Sequence, residues 1–233
     1  MIERLVPAAS SYAADVDFVF TLIFALVGFW LLLCEGVLLG LVVRFRRREG
    51  RPAQWITGEI PSQKRWVSIP HLLVLACDLV IIFFAVRVWY EVKQDLPPAE
   101  ATVRVIAQQW AWSFEHPGPD GRLDTADDIR SVDELHVEKD KLYHFELSSR
   151  DVLHSFSVPA FRLKQDVIPG REITAWFEPT RPGTYDLQCA EICGIGHALM
   201  PARVVVETAA QHAAWMSRHA PALLADARPG LED

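Results

Sequence analysis

The run VDFVFTLIFALVGFWLLLCEGVLLGLVV, residues 16–43, decides the first part of the fold because it holds only two charged side chains. A second run, VSIPHLLVLACDLVIIFFAVRVWY, residues 67–90, also holds only two. Each run is longer than the stretch of about 20 residues that an α-helix needs to cross a bilayer. The first run is too long for a signal peptide, and its small residues precede it instead of following it. The sequence therefore predicts two uncleaved transmembrane helices.

The loop between the two runs sets their orientation. It reads RFRRREGRPAQWITGEIPSQKR and holds seven Lys and Arg against two Glu. Positively charged loops stay in the cytoplasm, so both termini are expected on the outer side. The predicted membrane part consists of an N-terminal tail (residues 1–15), a first transmembrane helix (16–43), a basic cytoplasmic loop (44–65) and a second transmembrane helix (66–90). An outer soluble domain (91–207) and a C-terminal helix with its tail (208–233) are predicted to follow.

The predicted outer domain is acidic. From Glu91 onward the chain has 14 Lys and Arg against 23 Asp and Glu, a formal charge of −9. Such a surface argues against nucleic acid as a partner and favours a cationic partner that is attracted over a long range. Plain solubility explains the same charge, and composition alone leaves both interpretations open.

The outer domain is predicted to be a β-sandwich. Short stretches alternate between apolar and polar residues as strands do, namely ATVRVIAQQWAWSF, KLYHFELSS, REITAWFEP, GTYDLQC and PARVVVE. The turn signals HPGPDG, IPGR and TRPG lie between them. This pattern is typical of an all-β sandwich of Greek-key type. The insert PGPDGRLDTADDI is expected to be a solvated acidic turn, because its spacing does not match a calcium-binding EF-hand loop.

The stretch CAEICGIGHALM, residues 189–200, concentrates two cysteines, a histidine and a methionine. Soft sulfur combined with imidazole suits copper, with zinc as the main rival and a disulfide as the default in an oxidising compartment. Two thiolates can bridge two copper ions, each of which then needs a further nitrogen ligand. That ligand is expected from another strand. His154, in DVLHSFSVP, is the leading candidate over His116, His136 and His144.

The pattern C-x-E-x-C-G-x-x-H-x-x-M occurs together with DVLHSF, LKQDVIPGR and QQWAWSFE. These motifs resemble subunit II of the haem–copper cytochrome c oxidases, and the resemblance extends over about residues 16–207. It implies a cupredoxin-like sandwich, behind a two-helix membrane hairpin, that holds the binuclear copper centre CuA. The copper ligands that it implies are His154, Cys189, the backbone carbonyl of Glu191, Cys193, His197 and Met200.

The same resemblance implies further roles. The Glu191 side chain matches a magnesium ligand at the interface with subunit I, and Trp110 matches the residue through which electrons enter from cytochrome c. Strand alternation places Trp112 on the same side as Trp110, and Trp112 is expected to have a packing role. The positions that match the docking surface are Gln109, Glu115 and Asp151.

As a member of this family the chain would be part of an oxidoreductase in the inner membrane, with its copper domain on the periplasmic side. It would accept electrons from cytochrome c and pass them to the haem of subunit I, which holds the oxygen site of a proton-translocating complex that also contains subunit III. The motif C-x-x-C-H is missing, so no covalent haem is expected. The alternatives are the copper subunit of a nitric oxide reductase, a membrane-tethered copper carrier, and a disulfide-stapled adhesion domain.

Three positions depart from the family pattern. Arg150 stands where many relatives carry an acid, Gln63 stands where an acid often lies at the mouth of a proton channel, and the acidic insert is longer than in the simplest members. The first departure bears on the docking face, and the second bears on proton uptake.

Overall fold

A computed structural model describes residues 5–50, 52 and 57–220 of the chain. The chain divides into two compact units. One is Asp15–Glu91, and the other joins the segment up to Ala14 to the chain from Val92 onward.

The first unit is a helical hairpin. Helix α1 spans Ala13–Phe45 and helix α2 spans Pro61–Trp89, and both are long and apolar enough to cross a membrane. The rings of Phe18 and Phe84 meet edge to face at 5.1 Å. The Trp30 indole N–H donates to Cys77 Sγ at 3.4 Å. After α2 the chain makes one turn of π-helix. The prediction of two long apolar helices is confirmed.

The second unit is a sandwich of two five-stranded sheets, ordered β3-β2-β1-β5-β8 and β4-β10-β9-β6-β7. The pairs β1–β5 and β4–β10 are parallel, and the other pairs are antiparallel. The predicted β-sandwich is confirmed. Its strands and final helix are β1 Ala101–Gln108, β2 Ala111–His116, β3 Ile129–Val132, β4 Glu134–Glu138, β5 Tyr143–Ser149, β6 His154–Val158, β7 Leu163–Val167, β8 Ile173–Phe177, β9 Gly183–Cys189, β10 Ala202–Glu207 and α3 Ala209–His219.

Aromatic side chains fill the space between the sheets. Alternate residues of β5 are buried, and Phe145 stacks on Phe177 of β8 at 4.4 Å and on Phe156 of β6 at 6.0 Å. All three rings are fully buried. Full burial of such a side chain contributes about 1.5–3 kcal/mol, so this cluster is a principal source of the stability of the sandwich.

The segment ATVRVIAQQWAWSF forms two strands instead of one. Strands β1 and β2 pair antiparallel with Gln108 opposite Ala111, so the chain reverses at Gln109 and Trp110. The alternation restarts after this turn. Trp112 is therefore fully buried, whereas Trp110 lies on the turn and is 38% exposed. The expectation that both rings lie on one side of a continuous strand was wrong.

The segment ahead of α1 is bound to the sandwich. The Ala9 N–H donates to the carbonyl of Ala160 at 2.9 Å, and the Thr180 N–H donates to the carbonyl of Ala9 at 2.9 Å. The Tyr12 side chain is buried, and its hydroxyl donates to the Trp176 carbonyl at 3.1 Å. This segment, which the sequence placed in a tail, is part of the sandwich unit.

The acidic insert is tied to β1. The Arg104 guanidinium donates to both carboxylate oxygens of Asp124, at 2.8 and 2.9 Å. The Thr125 hydroxyl and the Asp120 N–H both donate to the carboxylate of Asp127. Within the described chain, the carboxylates of the insert do not form a group with metal-site spacing. The acidic-turn interpretation stays a prediction.

Candidate metal centre

The sulfur-rich stretch is the connection between β9 and β10. Cys189 is the last residue of β9, and Met200 lies two residues before β10 begins. His154 is the first residue of β6, which pairs with β9 so that Phe156 faces Cys189. Strand pairing therefore brings His154 to the loop although it is distant in sequence.

Both thiols lie at the centre of a compact donor cluster. Cys189 Sγ and Cys193 Sγ are 3.8 Å apart and do not form a disulfide, which requires about 2.05 Å. His154 Nδ1 lies 3.9 Å from Cys189 Sγ, and the Glu191 carbonyl oxygen lies 3.3 Å from it. The donors thus include one imidazole and one carbonyl on the Cys189 side.

The Cys193 side has a different pair of donors. His197 Nδ1 lies 3.6 Å from Cys193 Sγ, and Met200 Sδ lies 3.4 Å from it. Each sulfur therefore has one imidazole and one weaker donor beside it. His154, Cys193 and Met200 are buried, and His154 and the two cysteines have the spacing of a metal site.

The chemistry of this donor set fits copper. Two thiols, two imidazoles and a thioether are soft or borderline ligands, which copper prefers over the oxygen ligands that suit magnesium or calcium. Burial, followed by the neighbouring Cys189, raises the pKa of the Cys193 thiol. A metal cation would supply the positive charge that two neighbouring thiolates need in this buried place.

Comparison with known proteins identifies the family of the chain. The family model for the periplasmic domain of cytochrome c oxidase subunit II matches residues 101–209. The alternative cytochrome c oxidase subunit 2 of Bradyrhizobium diazoefficiens is 35% identical over 201 residues, covering 76% of this chain and 70% of that protein. The chain belongs to the cytochrome c oxidase subunit II family. It is thus a subunit of a haem–copper oxidase complex with a periplasmic domain, and the family assignment from sequence is confirmed.

The chain is also similar to two further proteins. Cytochrome c oxidase subunit 2 of Cereibacter sphaeroides is 28% identical over 242 residues, covering 91% of this chain and 78% of that protein. The crystal structure of the periplasmic domain of subunit II of the cytochrome oxidase of Bradyrhizobium japonicum is 28% identical. It covers 53% of this chain and 95% of that domain, with a TM-score of 0.48.

Asp151 bonds to the ring nitrogen of His154 that does not face Cys189. Its carboxylate accepts a hydrogen bond from His154 Nε2 at 2.9 Å and from the backbone N–H of Gln109 and of Val152, each at 2.6 Å. A carboxylate only accepts, so the His154 proton lies on Nε2 and Nδ1 is left with its lone pair toward Cys189. This contact was missed from sequence, although the Asp-x-x-His spacing before a strand was visible.

Side chains around the β1–β2 turn hold the ligand loop through its carbonyls. Gln109 Nε2 donates to the Cys193 carbonyl at 2.8 Å, and the Trp110 indole N–H donates to the same oxygen at 3.4 Å. The Trp112 indole N–H donates to the Met200 carbonyl at 3.2 Å. Trp112 therefore packs in the core and also fixes one end of the loop.

The Trp110 ring lies against Gly196. A Cβ added to Gly196 would stand 2.3 Å from Trp110 Cδ2, closer than real Cβ contacts. Gly194 also approaches this ring, and its φ of +120° is rarely adopted by other residues. The two glycines therefore allow the indole to cover the loop.

Glu191 and Glu115 both have cationic partners. The Glu191 carboxylate pairs with the Lys164 ammonium at 3.1 Å. Glu115 pairs with Arg104 and with Arg130, each at 3.1 Å, and its side chain is only 13% exposed. Lys164 was missed by the sequence reasoning. Of the three predicted docking residues, Gln109 and Asp151 contact the metal loop or its histidine, whereas Glu115 lies in an ion-pair network.

The rival histidines lie elsewhere. His144 Nε2 bonds to the Pro97 carbonyl at 2.8 Å. His116 and His136 contact Trp215 of helix α3. In the part of the chain that the structure describes, none of the three joins the sulfur cluster.

Proposed function

We propose that this chain is the subunit of a terminal haem–copper oxidase that accepts electrons from cytochrome c at a binuclear CuA centre. The observation that carries the proposal is the cluster in which each of two adjacent thiols has its own imidazole and one weaker donor. Family membership supports it independently.

In this proposal Cys189 and Cys193 would hold two copper ions between them. The imidazoles of His154 and His197, the Met200 thioether and the Glu191 carbonyl would be the further ligands. A copper pair held by these ligands supplies a one-electron site shared by both metals. The protein keeps the ligands in place beforehand through the carbonyl contacts of Gln109, Trp110 and Trp112 and through the hydrogen bond of Asp151 to His154.

The donor would dock where Trp110 reaches the surface. Its ring is partly exposed, and its N–H points to the carbonyl of the ligand Cys193. Three apolar side chains of the loop are almost fully exposed: Ile192, Ile195 and Leu199. Exposed apolar groups of this kind mark interaction surfaces. The acidic charge of the domain would attract a cationic cytochrome, and these groups would then make the close contact.

The remaining partners follow from the same proposal. Subunit I would hold the haem that receives the electrons and the oxygen site, subunit III would complete the proton-translocating core, and the complex would lie in the inner membrane. A magnesium ion at the interface with subunit I would take the Glu191 carboxylate as a ligand. Lys164 bonds to Oε1 of this carboxylate, so the ion would either take Oε2 or displace the ammonium.

The proposal is tested by electron paramagnetic resonance of the copper-loaded full chain in detergent. The full chain is needed because the segment ahead of α1 is part of the sandwich. The wild type should show one unpaired electron shared by two coppers, and Cys193→Ser should abolish that sharing because one bridge is lost. Cys34→Ser, in helix α1, is the matched control and should leave the spectrum unchanged.

Two outcomes would contradict the proposal. A single-copper spectrum from the wild type would remove the binuclear centre. Ready loss of copper during dialysis against a chelator would favour a copper carrier. The nitric oxide reductase alternative differs in its partner, so purification of the complex and assay of oxygen against nitric oxide reduction would separate the two.

A further inference from the structure

Helix α3 is held to the sandwich by a tryptophan among four histidines. Trp215 is buried, and four of the eight histidines of the chain contact its ring. His136 of β4 stacks on it at 4.3 Å, and His116 of β2 meets it edge-on at 5.0 Å. His212 and His219, from α3 itself, stack at 5.8 and 5.0 Å. We call these five residues the Trp215 cluster.

One carboxylate serves two of these imidazoles. Glu207 Oε1 bonds to His136 Nδ1 at 3.2 Å, and Glu207 Oε2 bonds to His212 Nδ1 at 3.1 Å. Glu134 lies farther from His136, at 3.8 Å. His116 is 2% exposed, and no described residue offers a hydrogen-bond partner to its Nε2. A charge on the buried His116 would therefore have no paired anion, so this imidazole is accommodated in its neutral form.

Other charged groups face the same imidazoles. Glu100 and Lys141 line a small cavity of about 120 Å³ together with His116 and His212. Burial is the largest influence on the pKa of His212 and keeps it below its usual value. Glu207 and Glu138 raise this pKa, and Lys141 lowers it. Near the end of α3, Arg218 adds a further positive charge.

The electrostatics give the sign of the pH dependence. Burial, and then the neighbouring His212 and His136, lower the pKa of His116 to about 3. In an undocked helix and an opened cluster the imidazole returns to a pKa of about 6.5. The docked state is thus fully favoured above pH about 6.5. It loses stability as the pH falls from there toward about 3, because the undocked state binds the additional proton.

We propose that helix α3 is a pH-sensitive latch, docked on β4 and β10 while His116 and His212 are neutral and released when these two imidazoles take up protons. Undocking uncovers Trp215 and the faces of β4 and β10 against which α3 packs. This latch is independent of the metal centre proposed above.

Hydrogen exchange of the full chain in detergent tests the latch. Backbone amides of α3 are compared at pH 7.5 and 5.5 after correction for the intrinsic exchange rate, with β5 as the internal reference. For His116, with a pKa of about 3 in the docked state and about 6.5 in the undocked state, the equilibrium constant for opening of α3 should rise about tenfold from pH 7.5 to 5.5. Exchange of α3 should rise by that factor, and exchange of β5 should stay constant. Equal protection of α3 at both pH values would overturn the proposal.

Variants then identify the groups that respond. His116→Phe fills the same buried space without a titrating nitrogen, and His212→Gln keeps a donor for Glu207. Each should reduce the pH response of α3. His144→Gln, outside the Trp215 cluster, is the control and should keep the full response. A response that persists in His212→Gln and in His116→Phe contradicts the assignment. If His116→Phe does not fold, the wild-type and His212→Gln measurements still decide it.

Discussion

Asp151 Oδ1 and His154 Nε2 are joined by a hydrogen bond of 2.9 Å, so the ring nitrogen that faces Cys189 is fixed as an acceptor. Loss of such a carboxylate behind a metal-binding histidine typically lowers metal affinity by about 10- to 100-fold. We therefore expect Asp151→Asn to lose copper to a chelator at a lower chelator concentration than the wild type, by a factor in this range. Competition titration of the full chain measures this.

The matched control for Asp151→Asn is Asp186→Asn, which removes one exposed carboxylate on β9. It changes the net charge by the same amount and should leave copper retention unchanged. Equal retention by Asp151→Asn and the wild type would mean that the hydrogen bond does not position His154.

Glu115 has a structural role in the ion-pair network with Arg104 and Arg130. Its side chain is mostly buried, so Glu115→Gln should lower the free energy of unfolding by about 1–2 kcal/mol. Association with cytochrome c should slow no more than in Glu172→Gln, which changes the net charge by the same amount. Thermal unfolding and stopped-flow kinetics measure the two effects, with the exposed Glu172→Gln as the control. A larger slowing than in Glu172→Gln, with unchanged stability, would support the predicted place of Glu115 on the docking face.

Association with cytochrome c should itself slow steeply as salt rises, because the outer domain from Glu91 onward carries a formal charge of −9. The screening length falls from about 10 Å at 0.1 M to about 3 Å at 1 M salt. Arg150 opposes this attraction, so Arg150→Gln should speed association at low salt. A rate that is independent of salt would show that apolar contacts alone direct docking.

Tyr12 links the segment ahead of α1 to the sandwich. Tyr12→Phe removes the hydroxyl that donates to the Trp176 carbonyl and should cost about 1 kcal/mol. Tyr12→Ala also removes a buried ring and should cost about 3–5 kcal/mol. Chemical unfolding of the sandwich measures both, and Tyr90→Phe, an exposed tyrosine of the hairpin unit, should have no effect. Unchanged stability in Tyr12→Ala would show that this segment does not stabilise the sandwich.

The parts of the fold that depend on a strong local pattern could be predicted from the sequence. The two helices followed from apolar runs whose length a bilayer dictates. The ligand loop followed from the chemistry of four neighbouring donors, namely two cysteines, a histidine and a methionine, and a second histidine followed from the need for one more nitrogen. His154 is indeed at the loop, because strand β6 pairs with β9.

The parts that depend on tertiary contacts could not be predicted. The chain reverses at Gln109 and Trp110 without a glycine or proline. The alternation of apolar and polar residues therefore predicted a single strand through this turn. The binding of Tyr12 to Trp176 joins residues that are 164 positions apart. The Trp215 cluster draws histidines from β2, β4 and α3, which only the completed sandwich brings together.

Gly196 and Trp110 are expected to be coupled, because a Cβ on Gly196 would lie 2.3 Å from the indole. Gly196→Ala should displace the ring, cost about 1–3 kcal/mol through overpacking, and slow electron transfer from cytochrome c. Trp110→Ala should slow transfer by about tenfold or more, equivalent to about 1.4 kcal/mol in the barrier, with copper content intact.

A double-mutant cycle separates the steric effect from damage to the ligand loop. In a Trp110→Ala background the indole is missing, so the added methyl group of Gly196→Ala meets no ring and should cost little further stability. The two single changes would then be strongly non-additive in unfolding measurements, and the double variant should transfer electrons as slowly as Trp110→Ala alone. Additive costs, or copper loss in the double variant alone, would instead mean that Gly196 shapes the His197 turn directly and that its contact with Trp110 is incidental.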